Sequence, residues 1–425
     1  METWRVLRVP VVLRLWLSQL GSTLGDWSFA IAAMIWIGNV TDDPRWVSAL
    51  FIAQAVPVFV FGPVLGVWPD RASPRKLMVG ADLVRAVGLG VLVFGAHPLQ
   101  PWMLVAAMAG LATASQVFTP ARSVAFGRLV EKSQWEAASG LFQATGFATR
   151  LAGYSLGAVL LIAFGIRWAA GLDALSFLLS GAILAGLPGV PRQEQIASQP
   201  GWVEQMRTGW ATLWRNAILR TILWAISSVS IGAAALTALD YFFVTGALHG
   251  TPEMVGPFNS VATVGSLIGA LVAPPLLGKF ADRRVFTLSL LWLGGMTIVY
   301  SRMNAWLWAL PLMAILSIPE GLINTTLAPM ALKQLPAGYI GQVFGTLNAA
   351  GQVMTVAGTA IAGAVARQWS VPDIFFGVGL FIMLVGVFVA WQLAPWRGEP
   401  QPAEQPSVGP ITTAPDEVPV EPAAG

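Results

Sequence analysis

The sequence predicts an all-α integral membrane fold, twelve membrane-crossing helices arranged as two parallel six-helix halves. Three observations carry that expectation. The first is composition. Of 425 residues, 56% are hydrophobic and 11% charged, against about 25% charged in a soluble domain, so lipid must cover what polar side chains cannot. The second is a succession of apolar runs, each near the roughly 20 residues a helix needs to cross a bilayer. The third is a hinge between apolar and charged sequence that occurs twice.

The apolar runs fall near 11–38, 46–69, 77–96, 101–121, 137–164, 168–187, 218–247, 254–277, 285–302, 306–332, 339–366 and 371–394. The first is too long for the apolar core of a cleaved signal and reads as a retained helix. An even number of spans puts both termini on one side. Lysine and arginine gather in cytoplasmic loops, and eighteen of the twenty-four fall at the termini and at connections from an even to an odd span. Arg5, Arg8, Arg128, Lys132, Arg207, Arg215, Lys279, Arg284 and Lys333 are among them; only Arg45, Arg167, Arg302 and Arg367 fall on the opposite side. Both termini are therefore expected in the cytoplasm of a multi-pass cell (plasma or inner) membrane protein.

The organisation expected is a first bundle over 1–187, a cytoplasmic linker over 188–217, a second bundle over 218–394 and a disordered, proline-rich tail over 395–425. Within the linker, "GWVEQMRTGWATLWR" places Trp202, Met206, Trp210 and Leu213 on one helical face, with Glu204, Arg207 and Thr208 away from it. That pattern fits a helix lying in the membrane interface. It equally fits a helix packed on the protein's own underside.

The repeat joins "GPVLGVWPDRASPRK" (62–76) to "APPLLGKFADRR" (273–284), pairing Pro63/Pro275, Leu65/Leu277, Gly66/Gly278, Asp70/Asp282 and Arg71/Arg283. A second match pairs Ala144/Ala349, Gly146/Gly351, Ala152/Ala357 and Gly153/Gly358. A carboxylate where a span meets the cytoplasm can accept from a neighbouring helix N-terminus or from the arginines that follow it. Gly66 and Gly278 would let another helix approach. The expectation is a latch in each half, made of Gly66, Asp70, Arg71, Arg75 and Lys76 and of Gly278, Asp282 and Arg283, that must break when the cytoplasmic side opens. The plainer alternative is that Arg71, Arg75 and Lys76 only fix topology against anionic lipid.

Charges inside spans cost about 2.5–3.5 kcal/mol each on insertion scales. Asp26 falls midway along span one and Arg150 midway along span five, at similar depth, so they are expected to pair or to share a water-filled cavity. The pair could be structural, or Asp26 could carry a proton; no histidine falls in a span to do so instead. Glu320 follows Pro319 and precedes Gly321, which predicts a broken or kinked span ten, with Asn324 one turn further on the same face. Asp240, near the outer end of span seven, is a further candidate for transport or proton coupling, the plainer alternative being that it simply reaches the headgroups; Asp173 is expected to be structural near the outer end of span six. Asp82 and Arg85, three apart, predict a local pair supporting the signature loop. Phe29, Met34, Trp36, Tyr241 and Phe242 are candidate cavity-lining groups. Trp46, Trp102, Trp168, Trp306 and Trp369 stand near span ends, as interfacial anchors do.

Other functions lose support. There is no cysteine, the two histidines (His97, His249) fall in short loops, and net charge is +3. No metal, no cofactor and no nucleic-acid partner is expected. No G-x-x-x-x-G-K-[ST] loop is present to bind ATP, and no nucleophile or acid–base grouping suggests an enzyme.

"G-x-x-x-D-R-x-x-x-R-K", Gly66 to Lys76, resembles the signature of the major facilitator superfamily between its second and third helices. "LWLSQLGSTLGDWSFAIA", "ADLVRAVG", "TPARSVAFGRLV" and "GLDALSFLLSGAIL" resemble its macrolide-efflux and enterobactin-exporter branch. Pro69, Ser73 and Pro74 depart from the signature, and Gly153-Tyr154 stands where antiporters of the superfamily often show Gly-Pro. The resemblance spans 10–394. It implies two bundles rocking around a midplane site lined by spans one, four, seven and ten, so that Glu320 could meet a cationic substrate or a proton. It further implies a monomer exporting amphipathic or hydrophobic small molecules against protons. The alternatives are export of one endogenous metabolite such as a siderophore and, more remotely, a non-transporting sensor or scaffold.

Overall fold

The structure, a computed structural model, describes residues 3–65, 73–95, 98–189, 202–335 and 340–394. A short 3-10 turn over Thr3–Arg8 leads into thirteen α-helices among the described residues. The first half holds α1 (Pro10–Thr41), α2 (Pro44–Leu65), α3 (Pro74–Gly90), α4 (Pro101–Leu129), α5 (Trp135–Phe164) and α6 (Ile166–Ala185). The linker carries α7 (Trp202–Arg215). The second half holds α8 (Ala217–Phe242), α9 (Val255–Lys279), α10 (Asp282–Ser301), α11 (Trp306–Leu332), α12 (Ile340–Val365) and α13 (Val371–Leu393). A π turn extends α3 over Val91–Gly95 and α8 over Phe243–Ala247.

Local chemistry sets the helix starts. Proline opens α1, α3 and α4, where its missing N–H is no loss. The Asn216 side chain accepts from the backbone N–H of Ile218 (2.9 Å) and Leu219 (3.2 Å), capping α8. Among the described residues, ten helices are long and apolar enough to cross a membrane. The other two of the twelve, α2 and α12, have 22 and 26 residues and border undescribed stretches. The predicted spans match these helices within a few residues except at α4, which runs on to Leu129. It continues through Pro120 because Ala121 and Ala125 pack with Leu15 and Met78 and because Arg122 donates to Gln19 Oε1 at 2.7 Å.

Packing repeats between halves. α1 packs on α5 and α6, α3 on α4 and α6, and α2 on α4; in the same order α8 packs on α12 and α13, α10 on α11 and α13, and α9 on α11. The matched glycines explain one of these relations. A Cβ on Gly153 would lie 2.6 Å from Trp27 Cβ of α1, and one on Gly358 2.5 Å from the Ile231 carbonyl oxygen of α8. Each glycine lets the fifth span of its half press against the first.

We call the end of the bundle that carries Thr3–Arg8 and α7 basal, and the other distal. One apolar core joins both halves at the distal end, running from Phe29–Ile37 of α1 through Ala235–Val255 to Tyr300 and Phe375. At the basal end the described residues form separate cores, each within a single half. Contacts across the seam pair α2 with α12 and α5 with α9. Tyr241 of α8 donates to Asn39 Oδ1 of α1 at 2.6 Å, and Ser155 bonds Ser260 at 2.8 Å. The seam is closed distally.

The linker helix takes the second of its two expected arrangements. Leu213 is buried, Gly209 sits on Gln342 and Thr346 of α12, and Met206 meets Thr346. Trp210, expected on the buried face, is exposed beside Trp214. The predicted tail lies outside the described residues.

Candidate functional site

Adjacent residues on a helix point about 100° apart, and α1 uses this to serve two different sites. Trp27 turns toward α5, where the Arg150 guanidinium lies 5.6 Å from the centre of its ring and 5.9 Å from that of Tyr154. Trp27 and Tyr154 meet edge to face at 5.2 Å. From the opposite half, Glu320 of α11 interacts electrostatically with Arg150 and Tyr154. This longer-range interaction matters because it crosses the seam. Arg150, Tyr154, Trp27 and Glu320 all keep intermediate exposure. The Arg150 Nε is buried without a partner. The site therefore offers one cation beside two touching aromatic rings, with one carboxylate across the seam.

Asp26 turns the other way, into the first half. Its electrostatic partners are Arg85 of α3 and Asp173 of α6, so the expected pairing with Arg150 is not formed. Arg85 Nη1 donates to Asp82 Oδ1 at 3.3 Å and Nη2 to Ser115 Oγ at 2.9 Å. Its guanidinium lies 4.8 Å from the Phe118 ring centre and 5.0 Å from that of Phe177, a stacked environment that suits arginine. Ser180 donates to Asp82 Oδ2 at 2.6 Å. The Asp82–Arg85 pair is present as expected and ties α3 to α4 and α6; residues 66–72 of the signature loop lie outside the described residues. Asp173 is sealed within the bundle.

Other expected sites also differ. Asp240 is buried and accepts from Asn259 Nδ2 at 2.6 Å, so it does not reach the surface; no sequence pattern marked Asn259 as its partner. α11 runs unbroken through Pro311, Pro319 and Pro329. Bundle packing holds it in register, as neighbouring helices do for prolines in membrane spans. Asn324 is exposed one turn nearer the basal end than Glu320. Phe29 and Met34 belong to the distal core and do not line a cavity, whereas Trp36 lines a distal pocket of about 560 Å³ with Arg167 and Glu253.

Of the latch residues, Gly66, Asp70 and Arg71 lie outside the described residues. Arg75 donates to the Leu187 carbonyl at 2.8 Å, within its own half. Arg283 likewise donates to the carbonyls of Leu393 (3.0 Å) and Ala394 (2.8 Å), and Lys333 pairs with Asp282. Beside Gly278 there is open space where a helix was expected to approach.

The profile of the Major Facilitator Superfamily matches residues 15–359 and again 233–420. The chain belongs to that superfamily. Its two packed halves are then the superfamily's two bundles, and its activity is transport. Among curated relatives it is 23% identical over 391 residues to the uncharacterized transporter YfiS of Bacillus subtilis, covering 87% of this chain and 90% of that one. It is 22% identical over 389 residues to macrolide efflux protein A of Streptococcus pyogenes, covering 88% and 93%. The nucleoside transporter NupG shares the fold, with a TM-score of 0.73 at 12% identity over 90% of this chain and 99% of that one.

Proposed function

We propose that this superfamily transporter exports amphipathic or hydrophobic small molecules from the cytoplasm by alternating access, driven by inward proton flow. The observation that supports it is the seam site. Arg150, Trp27 and Tyr154 belong to one bundle and Glu320 to the other, so a molecule bound among them touches both bodies that must move. The aromatic walls suit an apolar body, and Glu320 suits a cationic group on it. The similarity to macrolide efflux protein A supports export. The protein acts as a monomer in the cell membrane with its basal end cytoplasmic, so the distal closure corresponds to an inward-facing state. Gly66, Asp70, Arg71, Arg75, Lys76, Gly278, Asp282 and Arg283 form the latches that close the cytoplasmic mouth in the opposite state. Asp26 carries the coupling proton.

Arg150 favours one second reading, export of a single endogenous metabolite with an acidic group, such as a siderophore. Both are tested in liposomes carrying a pH gradient, with dyes, macrolides and siderophores as candidate solutes. The first reading expects cationic amphiphiles to dissipate the gradient and Asp26→Asn to abolish this with expression intact. Undiminished proton-driven efflux in that variant refutes the role of Asp26; movement of acidic metabolites alone favours the second reading.

A further inference from the structure

Within the first bundle three carboxylates share one guanidinium. Asp82 holds Arg85 directly. Asp26 of α1 and Asp173 of α6 flank the packing between these two helices. The helices meet so closely here that a Cβ on Gly25, the residue before Asp26, would collide with Asp173 Oδ1. Asp173 Oδ1 accepts from Ser176 at 3.2 Å. Its Oδ2 is fully sealed and has no hydrogen-bond partner, and the Arg85 Nε beside the cluster is sealed and unpartnered too.

The remaining charged groups do not neutralise this excess. Arg122 of α4 is held by Gln19 of α1, and Arg150 of α5 faces Trp27 and Tyr154. Arg85 of α3 reaches Asp26 and Asp173 only as a shared, longer-range charge while bonded to Asp82 and Ser115. A sealed carboxylate oxygen with no donor is costly when ionised. Two neighbouring carboxylates in such a place resolve the cost by sharing one proton.

We propose that Asp26 and Asp173 together hold a single proton, and that this pair, set apart from the seam site, is the transporter's proton-binding site. In the loaded state Asp173 Oδ2–H donates to the Asp26 carboxylate. On unloading, the proton moves to Asp26 and leaves from it to water, and the pair goes from one negative charge to two. Asp26 is the exit because it keeps partial exposure whereas Asp173 has none. The coupling role rests on the antiport reading above; the shared proton does not.

The test is infrared titration of the full chain reconstituted in lipid, following the stretch of protonated carboxyl groups across pH, with proton release on alkalinisation counted in parallel. Asp26→Asn and Asp173→Asn are each expected to remove the same band and one released proton, and the double variant no more than either alone. Glu320→Gln is expected to leave that band in place. Separate losses that add in the double variant, or a band untouched by Asp173→Asn, overturn the proposal. Should Asp173→Asn fail to fold, Asp26→Asn decides, since a band that persists there with unchanged frequency and midpoint belongs to Asp173 alone and sharing is excluded. If the band behaves as expected while no solute moves with protons in liposomes, the shared proton stands and the antiport reading falls.

Discussion

The hydrogen bond from Tyr241 to Asn39 joins the two bundles at their distal end, so it exists only while that end is closed. Tyr241→Phe removes the hydroxyl and leaves the ring packed against Gly38. A neutral hydrogen bond contributes about 0.5–1.5 kcal/mol net, and exposure of Asn39 to solvent argues for the lower part, about 0.5–1 kcal/mol. The ratio of distal-open to distal-closed molecules should therefore rise about two- to fivefold. Gly38→Ala should shift it further, because the new Cβ would lie 2.5–2.7 Å from three ring atoms of Tyr241 and overpacking of that kind costs about 1–3 kcal/mol. The chain has no cysteine, so Trp168→Cys and Trp369→Cys, both exposed at distal positions in opposite halves, give a clean pair for spin labels. Pulsed electron–electron resonance should show the long-distance population growing in the order wild type, Tyr241→Phe, Gly38→Ala. An unchanged distance distribution in both variants would refute the seam argument.

Three further outcomes are expected. Asp43 receives Nη2 of Arg45 at 2.7 Å and its Nε at 3.1 Å, and these bonds hold the Asp43 carboxyl below the usual carboxylate range. A depressed folded value contributes stability above the ordinary carboxylate range and loses it as pH falls through the folded value; the melting-temperature gap between wild type and Asp43→Asn should accordingly close on acidification. Gly358→Ala should destabilise by about 1–3 kcal/mol through overpacking, whereas Gly351→Ala, whose Cβ would sit at 3.5 Å from Ser230 Oγ, should melt with the wild type. Gly209→Leu should lift α7 off α12, where a Cβ already falls 2.6 Å from the Gln342 carbonyl oxygen; faster proteolysis within 202–215 is the readout, and unchanged cleavage would mean the helix docks some other way.

What the sequence made legible is what depends on period and composition. Apolar runs of fixed length located α1 to α6 and α8 to α13, since a bilayer imposes one length on every crossing helix. The Gly153/Gly358 match located a real close approach in each half. Pairings were less legible, because they depend on helix rotation. Asp26 and Arg150 do lie on neighbouring helices, but a rotation of about 100° between Asp26 and Trp27 gives Arg150 an aromatic neighbour and sends the acid to α6. Asp240 has an amide partner from α9, nineteen residues along the chain, which no short-range pattern encodes. α4 runs past the expected end at 121 for a related reason: Pro120 and Arg122 stay within the helix through the buried Ala121 and Ala125 and through Gln19 of α1, contacts that no short-range pattern encodes.

These positions make α1 the one element common to all three features. It carries Asp26 toward the shared acid pair, Trp27 toward the seam site, and Gly38 and Asn39 into the distal closure. From Asp26 to Asn39 is about 20 Å at the helical rise of 1.5 Å per residue, and α1 is continuous over that length. A second negative charge on the Asp26–Asp173 pair would push α1 and α6 apart at Gly25, where they have no slack. A rigid helix must pass that displacement to both of its other contacts. Asp26→Asn should accordingly alter the distal spin-label distances measured for Tyr241→Phe, although residue 26 lies far from either label, and independence of the two substitutions would uncouple the proton from the gate.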